Sequence, residues 1–400
     1  MTHWTSKLLS GFSGIIFVTH FACAASIDFA PFVSATITHD SNVFRFTDSQ
    51  EALEETGSTD KSDDWYTIEG GAKGTLSVSR QDIIVDAAIS RNEYDRYFFL
   101  DYTGGRVSAV LNWVRGSLWS GTAGYRFVRT LAGFTEFQNP TQDIKSQHNL
   151  FARAERKLTT KWSLPFGVSY RDSDFSTRST RDREVVTGDV GLVYTSRKGN
   201  RIGIVSELAD AQFPNREVNV ANGVDDGYQT FNLSGKINWA PQRNSRVEAR
   251  LGYTEREQDN VSSADFDGVT GRISYSMQPT GKTKLTTQIW RELSALSDEA
   301  ANYAKVTGIS LTPEWQITNK LALTAEVEYS ERDFEGQPDL EDQVVEDRKD
   351  DVIAARVSLS YDITRIFEVS LTYETGDRDS NRPEREYDFN TVLAKVRANF

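Results

Sequence analysis

Thiols are almost missing from this sequence. One cysteine, Cys23, stands among 400 residues, so a disulfide framework and a thiolate metal site are both out of reach. Methionine occurs twice and proline nine times, which is not the composition of a helical bundle. Beyond the first twenty-five residues no run of apolar residues approaches the eighteen or so that a spanning helix needs, and the mean hydropathy is −0.50. Positive charge is in deficit: 45 Lys and Arg against 58 Asp and Glu give −13, which excludes a basic surface for nucleic acid. Disorder is excluded too, because aromatics make up 11% of the chain, too many for a sequence that cannot bury a core.

The N-terminus has its own character. Lys7 is followed by the largely apolar stretch Leu8 to Val18, and Ala22-Cys23-Ala24-Ala25 offers small residues for cleavage. That order reads as a secretory signal peptide over residues 1–25, with one domain over residues 26–400. Cys23 would leave with the leader, and losing Lys7 takes the formal charge to −14. His20-Phe21-Ala22 before Cys23 does not make a convincing lipid-attachment site.

From Ile27 to Phe400 one pattern recurs. Segments of about ten residues alternate apolar with polar or small, the period of a strand and not of a helix. Leu321, Leu323, Ala325, Val327 and Tyr329 alternate with Ala322, Thr324, Glu326 and Glu328. Val247, Ala249, Leu251 and Tyr253 alternate with Arg246, Glu248, Arg250 and Gly252. Eighteen such segments can be counted, joined alternately by short links (Arg80-Gln81, Thr159 to Lys161, Ser196 to Asn200) and long ones (His39 to Asp64, Arg129 to Ser146, Glu331 to Asp350). A soluble sandwich has no reason to alternate loop length. The expected fold is therefore an all-β transmembrane antiparallel barrel of about 18 strands, with short periplasmic turns, long extracellular loops and an apolar face toward lipid.

Tryptophan placement supports this. Trp113, Trp119, Trp162, Trp239 and Trp315 sit beside short links, as a girdle at the lipid headgroups would require, while Trp65 and Trp290 lie near long ones. The final strand alternates through Val392, Ala394, Val396 and Ala398 to a terminal Phe400, and Val396, Ala398 and Phe400 read as the signal for the outer-membrane assembly machinery. The expected location is the outer membrane of a Gram-negative cell.

Charge is uneven along the chain. His39 to Asp64 and Glu331 to Asp350 each carry a net −6, and both are expected to be solvated extracellular loops. On the opposite strand face, Arg153, Arg246, Glu248, Arg250, Arg272, Glu326, Glu328 and Arg356 are candidate lining residues of a channel. Arg246, Arg250 and Arg272 would form a basic patch there, or be neutralised by Glu248. Eighteen strands ~4.8 Å apart and tilted ~40° give a backbone radius of roughly 18 Å, wide enough for water unless loops fold in. Catalysis finds little support. His39 and His148 stand far apart in sequence, and Ser146 near His148 lacks a nucleophile-elbow pattern. Glu326 and Glu328, ~6–7 Å apart by strand rise, are a pair that any charged lining produces. No cofactor, metal or catalytic residue is expected, and nucleic acid is not a partner.

Two stretches are familiar. Pro31-Phe32-Val33-Ser34-Ala35 leading to His39-Asp40-Ser41-Asn42-Val43-Phe44-Arg45 resembles the opening of an outer-membrane β-barrel family tied to exopolysaccharide biosynthesis and often to exosortase systems. Tyr94-Asp95-Arg96-Tyr97-Phe98-Phe99-Leu100-Asp101-Tyr102, Leu111-Asn112-Trp113 and Leu118-Trp119-Ser120-Gly121 are similar to the same family. The likeness is sharp over about residues 30–125 and extends in architecture to the whole barrel. It implies a part in passing polysaccharide across the outer membrane, with the polymer, outer-membrane lipid and periplasmic export components as partners. A general or sugar-specific diffusion porin is the alternative, and a non-conducting surface or adhesion barrel a second.

Overall fold

The computed structural model describes residues 25–220, 224–294, 303–335 and 347–400. Strands account for most of them. β1 (Ala25–Asp40), β2 (Asp63–Val78), β3 (Gln81–Tyr94), β4 (Tyr102–Arg115), β5 (Trp119–Leu131) and β6 (Ile144–Lys157) come first. β7 (Trp162–Phe175), β8 (Arg183–Thr195), β9 (Arg201–Gln212), β10 (Gly227–Trp239), β11 (Ser245–Gln258) and β12 (Phe266–Thr280) follow. β13 (Thr283–Ser294), β14 (Tyr303–Gln316), β15 (Leu321–Glu335), β16 (Lys349–Asp362), β17 (Phe367–Ser380) and β18 (Tyr387–Asn399) complete the set. Each strand pairs antiparallel with the next, and β1 closes on β18 from Phe32 opposite Asn399 to Asp40 opposite Thr391. The expected barrel of eighteen strands is thus present and closed, with no free sheet edge to satisfy.

The connections alternate in length. Short turns fill 79–80, 116–118, 158–161, 196–200 and their counterparts, within about two residues of the expected links. Gly116 in one of them has φ +62°, which favours a residue without Cβ. Long connections leave the other end, including 41–62, 132–143 and 213–226. The expected long link Glu331 to Asp350 lies mostly outside the described residues. The eight-residue helix α1 (Ser49–Thr56) sits in the first long connection, capped by Asp48, which accepts from the amides of Gln50 and Glu51. Among the described residues no helix is long and apolar enough to cross a membrane.

One repeat escaped the reading of the sequence. Asp101, Asp182 and Asp265 each accept from the amide seven residues back, at Tyr94, Phe175 and Gln258, at 2.7–2.8 Å, and close a short 3-10 turn. A second aspartate braces each turn from the start of a preceding strand. Asp63 accepts from the amides of Arg96 and Tyr97, Asp143 from that of Thr177, and Asp225 from those of Asn260 and Val261. The device recurs every four strands, after β3, β7 and β11, so three points of the rim share one kind of turn braced by a buried carboxylate.

Which strand face is interior follows from one contact. Glu136, in the connection between β5 and β6, reaches Arg332 on β15 and Arg378 on β17. Those strands lie six to nine steps away around the closed wall, so the arginines point inward. Register then puts Val327, Tyr329, Val357 and Leu371 outside, where Leu371 is 53% exposed. An exposed apolar row of this kind runs round the whole wall.

Candidate functional site

The interior is charged along the wall and crowded at the long-loop end. On the wall, cations meet carboxylates on their own strand or one or two strands away. Arg272 makes a two-pronged bond to Glu292 at 2.7 and 3.1 Å and lies over the Trp290 ring. Arg250 stands 3.3 Å from Glu207 and donates to Asn232 at 2.7 Å. Arg153 is 3.8 Å from Asp189, Arg356 2.7 Å from Glu374, and Arg246 3.8 Å from Glu248. A cavity of about 980 Å³ lies against this wall, and Arg153, Glu248, Arg250 and Arg272 border it. Arg246, Glu326, Glu328 and Arg356 share the interior face but do not border that cavity.

The expected basic patch takes another form. Arg250 and Arg272 are register partners, side by side. Yet Glu207 on β9 and Glu292 on β13 neutralise them, and of the three arginines Glu248 meets Arg246 alone, while also accepting from Asn238. Reading one strand at a time could not reveal partners that barrel register supplies.

The expected girdle tryptophans all fall on the outer face near the short turns, whereas Trp65 and Trp290 point inward. Trp239 and Trp315 are each 48% exposed. Trp113 lies flat over Gly121, where an added Cβ would come within 2.5 Å of its ring. At the opposite end stands a tyrosine row that the sequence reading did not single out. Tyr170 donates to Glu184, Tyr329 to Asp351 at 2.7 Å, Tyr373 to Asn390 at 2.6 Å, and Tyr66 and Tyr253 to Glu93 and Asp267. The signal was available as an outward tyrosine followed by an acid on the next strand. His148 belongs to this row, with Nδ1 2.7 Å from the Tyr125 hydroxyl. Val396 and Phe400 are outward and exposed, Ala398 outward but covered, and the Phe400 amide donates to Pro31.

The mouth holds part of the stretches that looked familiar, Asp40 to Arg45 and Tyr94 to Tyr102, whereas Leu111 to Trp113 and Leu118 to Gly121 lie at the short-turn end. Asn42 accepts from the Phe46 amide and donates to the carbonyls of Phe46 and Asp388. Arg45, left-handed at φ +63°, is held by both oxygens of Asp40 at 2.9 and 3.0 Å and lies over Phe389. This turn drives Phe44, fully buried, against Tyr97 and Phe134, each with ring centroids 4.7 Å away. Val43, Phe46, Ala52 and Leu100 complete the buried cluster. The acidic segment His39 to Asp64 is thus solvated only in part: Asp48, Glu54, Glu55, Asp60 and Asp64 are exposed as expected, while its apolar residues form a plug and Asp40 and Asp63 are buried in hydrogen bonds. At its edge Arg96 hydrogen-bonds Asp60 and holds that carboxyl well below the usual range.

Connection 132–143 leaves the plug and crosses the opening. At its foot Arg178 pairs with Asp143 at 2.7 Å and stacks on Phe137. At its tip Glu136 accepts from Arg332 and Arg378 at 2.8 Å and lies 3.5 Å from Arg348. Asp350 joins Arg348 at 2.5 Å and Arg378 at 3.6 Å. Arg348 and Arg378 lie over the rings of Phe334 and Tyr387, which fix their planes. The opening is thus far narrower than ~36 Å, the width the strand count alone would allow.

Across the rim, Asp225 is buried. Burial pushes its carboxyl up, but donors from the Asn260 side chain and the amides of Asn260, Val261 and Gly227 outweigh that and hold it below its ordinary value. Arg216, stacked on Phe213, is drawn down to about 10 by burial and still carries its charge at neutral pH.

Comparison with known proteins agrees with this architecture. Residues 242–400 match the family model described as Putative beta-barrel porin 2, in the half of the chain opposite to the stretches that carry the resemblance noted above. Among solved structures, OccK2 (OpdF) of Pseudomonas aeruginosa in complex with glucuronate is similar at a TM-score of 0.51 and 10% identity, covering 94% of this chain and 98% of that one. A BenF-like porin from Pseudomonas fluorescens Pf-5 is similar at 0.50 and 12%, covering 93% and 99%. No curated protein sequence matches the chain. At such identities the shared property is the fold, that of an 18-stranded porin barrel.

Proposed function

We propose that this chain is a diffusion channel of the Gram-negative outer membrane for small hydrophilic solutes. The observation that carries the reading is connection 132–143, which crosses the mouth of a wide charged barrel, with Glu136 at its tip meeting Arg332 and Arg378 of the far wall, and so narrows the opening. The porin-type fold and the family match over residues 242–400 support it. So does the outer surface, where an apolar band lies between the tryptophan and tyrosine rows. On β7, Trp162 and Tyr170 are eight residues apart, ~26 Å along the strand and ~20 Å along the membrane normal at a ~40° tilt, so that with the rings themselves they bracket a lipid-facing band of ~25 Å. In this reading residues 1–25 are a leader, residues 26–400 the barrel, and Val396, Ala398 and Phe400 face the assembly machinery. Arg153, Arg250 and Arg272 line the path, and no chemistry is assigned to the chain.

Exopolysaccharide passage is the second reading. It rests on the resemblance of residues 31–45 and 94–121, of which Val43, Phe44, Tyr97 and Leu100 belong to the plug, so a polymer would need the mouth to open. The deciding experiment is swelling of proteoliposomes in solutes of rising size. Entry of monosaccharides with exclusion of oligosaccharides is expected; failure of the smallest sugar to enter would end the channel reading. Loss of secreted polysaccharide in a deletion strain would favour the second.

A further inference from the structure

The short-turn end of the barrel is basic although the chain carries a net charge of −13. Its eight turns hold eight Lys or Arg, from Arg80 to Arg365, and no Asp or Glu. All eight are exposed, and none is ion-paired among the described residues. Two more cations stand on the strands themselves, in the lipid-facing rows. Register places Arg115 of β4 and Arg156 of β6 on either side of Trp119 of β5, all three on the outer face. Arg156 lies over the Trp119 ring, 5.5 Å from its centroid. Both arginines are exposed, and neither has an ion pair or a side-chain hydrogen bond among the described residues. Elsewhere at this level the outward residues are apolar or aromatic, such as Tyr194, Trp239, Trp315, Tyr361 and Phe367. The sector from β4 to β6 is the exception.

The surroundings of this pair are those of a headgroup layer. Leu118 and Leu158, in the two adjoining turns, are 51% and 48% exposed. The Lys157 amide donates to the Leu118 carbonyl at 2.8 Å, which ties the two turns together. In open water these leucines would cost free energy. At headgroup depth they enter the acyl layer, Trp119 sits at its preferred interface, and the guanidinium groups stay with phosphate. Strands are ~4.8 Å apart, so the two arginines stand ~10 Å apart across β5, and an anion between them is within reach of both. A guanidinium fork matches phosphate oxygens two at a time.

We propose that Arg115 and Arg156, with Trp119 between them, form a binding site for the phosphodiester of an anionic glycerophospholipid in the leaflet at the short-turn end. The site lies outside the solute path and rests on the membrane placement of the barrel, not on conduction. The two guanidinium groups donate to the phosphate, Trp119 packs against the glycerol backbone, and Leu118 and Leu158 meet the first methylenes of the acyl chains. A zwitterionic lipid fits less well, because its own ammonium already neutralises the phosphate. Attraction to the basic rim adds to that selection, and falls away within a Debye length.

Native mass spectrometry of the detergent-solubilised barrel tests this, with phosphatidylglycerol as the probe and phosphatidylethanolamine and inorganic phosphate as controls. The unaltered barrel is expected to retain one phosphatidylglycerol at about fivefold lower concentration than phosphatidylethanolamine. Inorganic phosphate at the same concentration should not displace it. Arg115→Gln together with Arg156→Gln should abolish the preference, and Arg115→Lys with Arg156→Lys should keep part of it. Heat-modifiable gel mobility shows whether each variant is folded. Equal retention of the two lipids by the unaltered barrel overturns the proposal whatever the variants do, and so does a preference that survives the double glutamine change. An equal loss on Arg197→Gln with Lys198→Gln, in another short turn, would mean diffuse attraction to the rim and would remove the site. Purified peptidoglycan bound through the same two arginines, without lipid preference, would put a polymer in place of the lipid and overturn the proposal too. Failure of the barrel to insert into phosphatidylcholine bilayers is a separate outcome: it would remove the membrane placement itself.

Discussion

The wall and the mouth of this barrel are made from the same residue types and behave differently. On the wall, Arg272 and Glu292 are 41% and 44% exposed, so water screens their attraction and the pair contributes ~0–1 kcal/mol. At the mouth, Arg378 and Asp350 are both wholly buried. There each charge depends on its partners, and the arrangement is specific because breaking it leaves a charge without water. Charge type says little about role in a barrel. Burial decides it, and burial follows from which loops fold inward.

Breaking the mouth should have the largest effect. Asp350→Asn leaves the buried Arg378 with Glu136 as its remaining carboxylate among the described residues. It should cost ~3–5 kcal/mol locally, read as faster amide exchange at the ends of β16 and β17 while the short-turn end is unchanged. Equal exchange in both proteins would make the mouth as loose as the wall.

Next comes the outer face. Leu371→Arg should lower folding into bilayers by ~2–4 kcal/mol, whereas Ser358→Arg, on the interior wall, should change little. Equal losses would mean the two faces have been interchanged.

A smaller effect sharpens the contrast within the rim. Asp225 braces the 3-10 turn after β11, and Asp225→Ala should cost ~1–3 kcal/mol there. Because its folded carboxyl lies below the ordinary value, this stability is present above the unfolded pKa of about 3.9 and lost as pH falls through the folded one. Exchange of the Val261 amide, compared at about pH 6 and about pH 2, should show loosening on the acid side that the variant lacks.

The smallest structural effect belongs to the wall. Replacing Arg246, Arg250 and Arg272 together by glutamine should cost no more than ~1 kcal/mol per pair, keep heat-modifiable mobility and shift ion selectivity toward cations. Unchanged selectivity would take these arginines out of the solute path.

Much of the wall was legible in the sequence, and the reason is geometric. Alternation has period two, so Leu321 to Tyr329 declare their faces locally, and loop lengths separate the two ends. The mouth was not legible because its contacts are remote. Glu136 meets Arg332 across 196 residues and Arg378 across 242, and only barrel closure brings β5 and β6 opposite β15 to β17. Net charge gave half of the picture at His39 to Asp64, where most of the acids are solvated as composition suggested but Phe44, Phe46 and Ala52 are buried. Counting acids does not show that Asp40 holds Arg45 and Asp63 braces a turn. The repeated aspartate seven residues after a strand end was visible in Asp101, Asp182 and Asp265, but its meaning needed the hydrogen bonds.

The most direct measurement is single-channel conductance after removal of the crossing segment. Replacing Phe134 through Gln138 by a short Gly-Ser link withdraws the loop tip and leaves the eighteen strands and their wall charges intact. If the mouth sets permeability, conductance should rise severalfold toward that of an open 18-stranded barrel and larger sugars should enter liposomes. Conductance and size limit unchanged from the full-length loop would contradict a channel narrowed by connection 132–143.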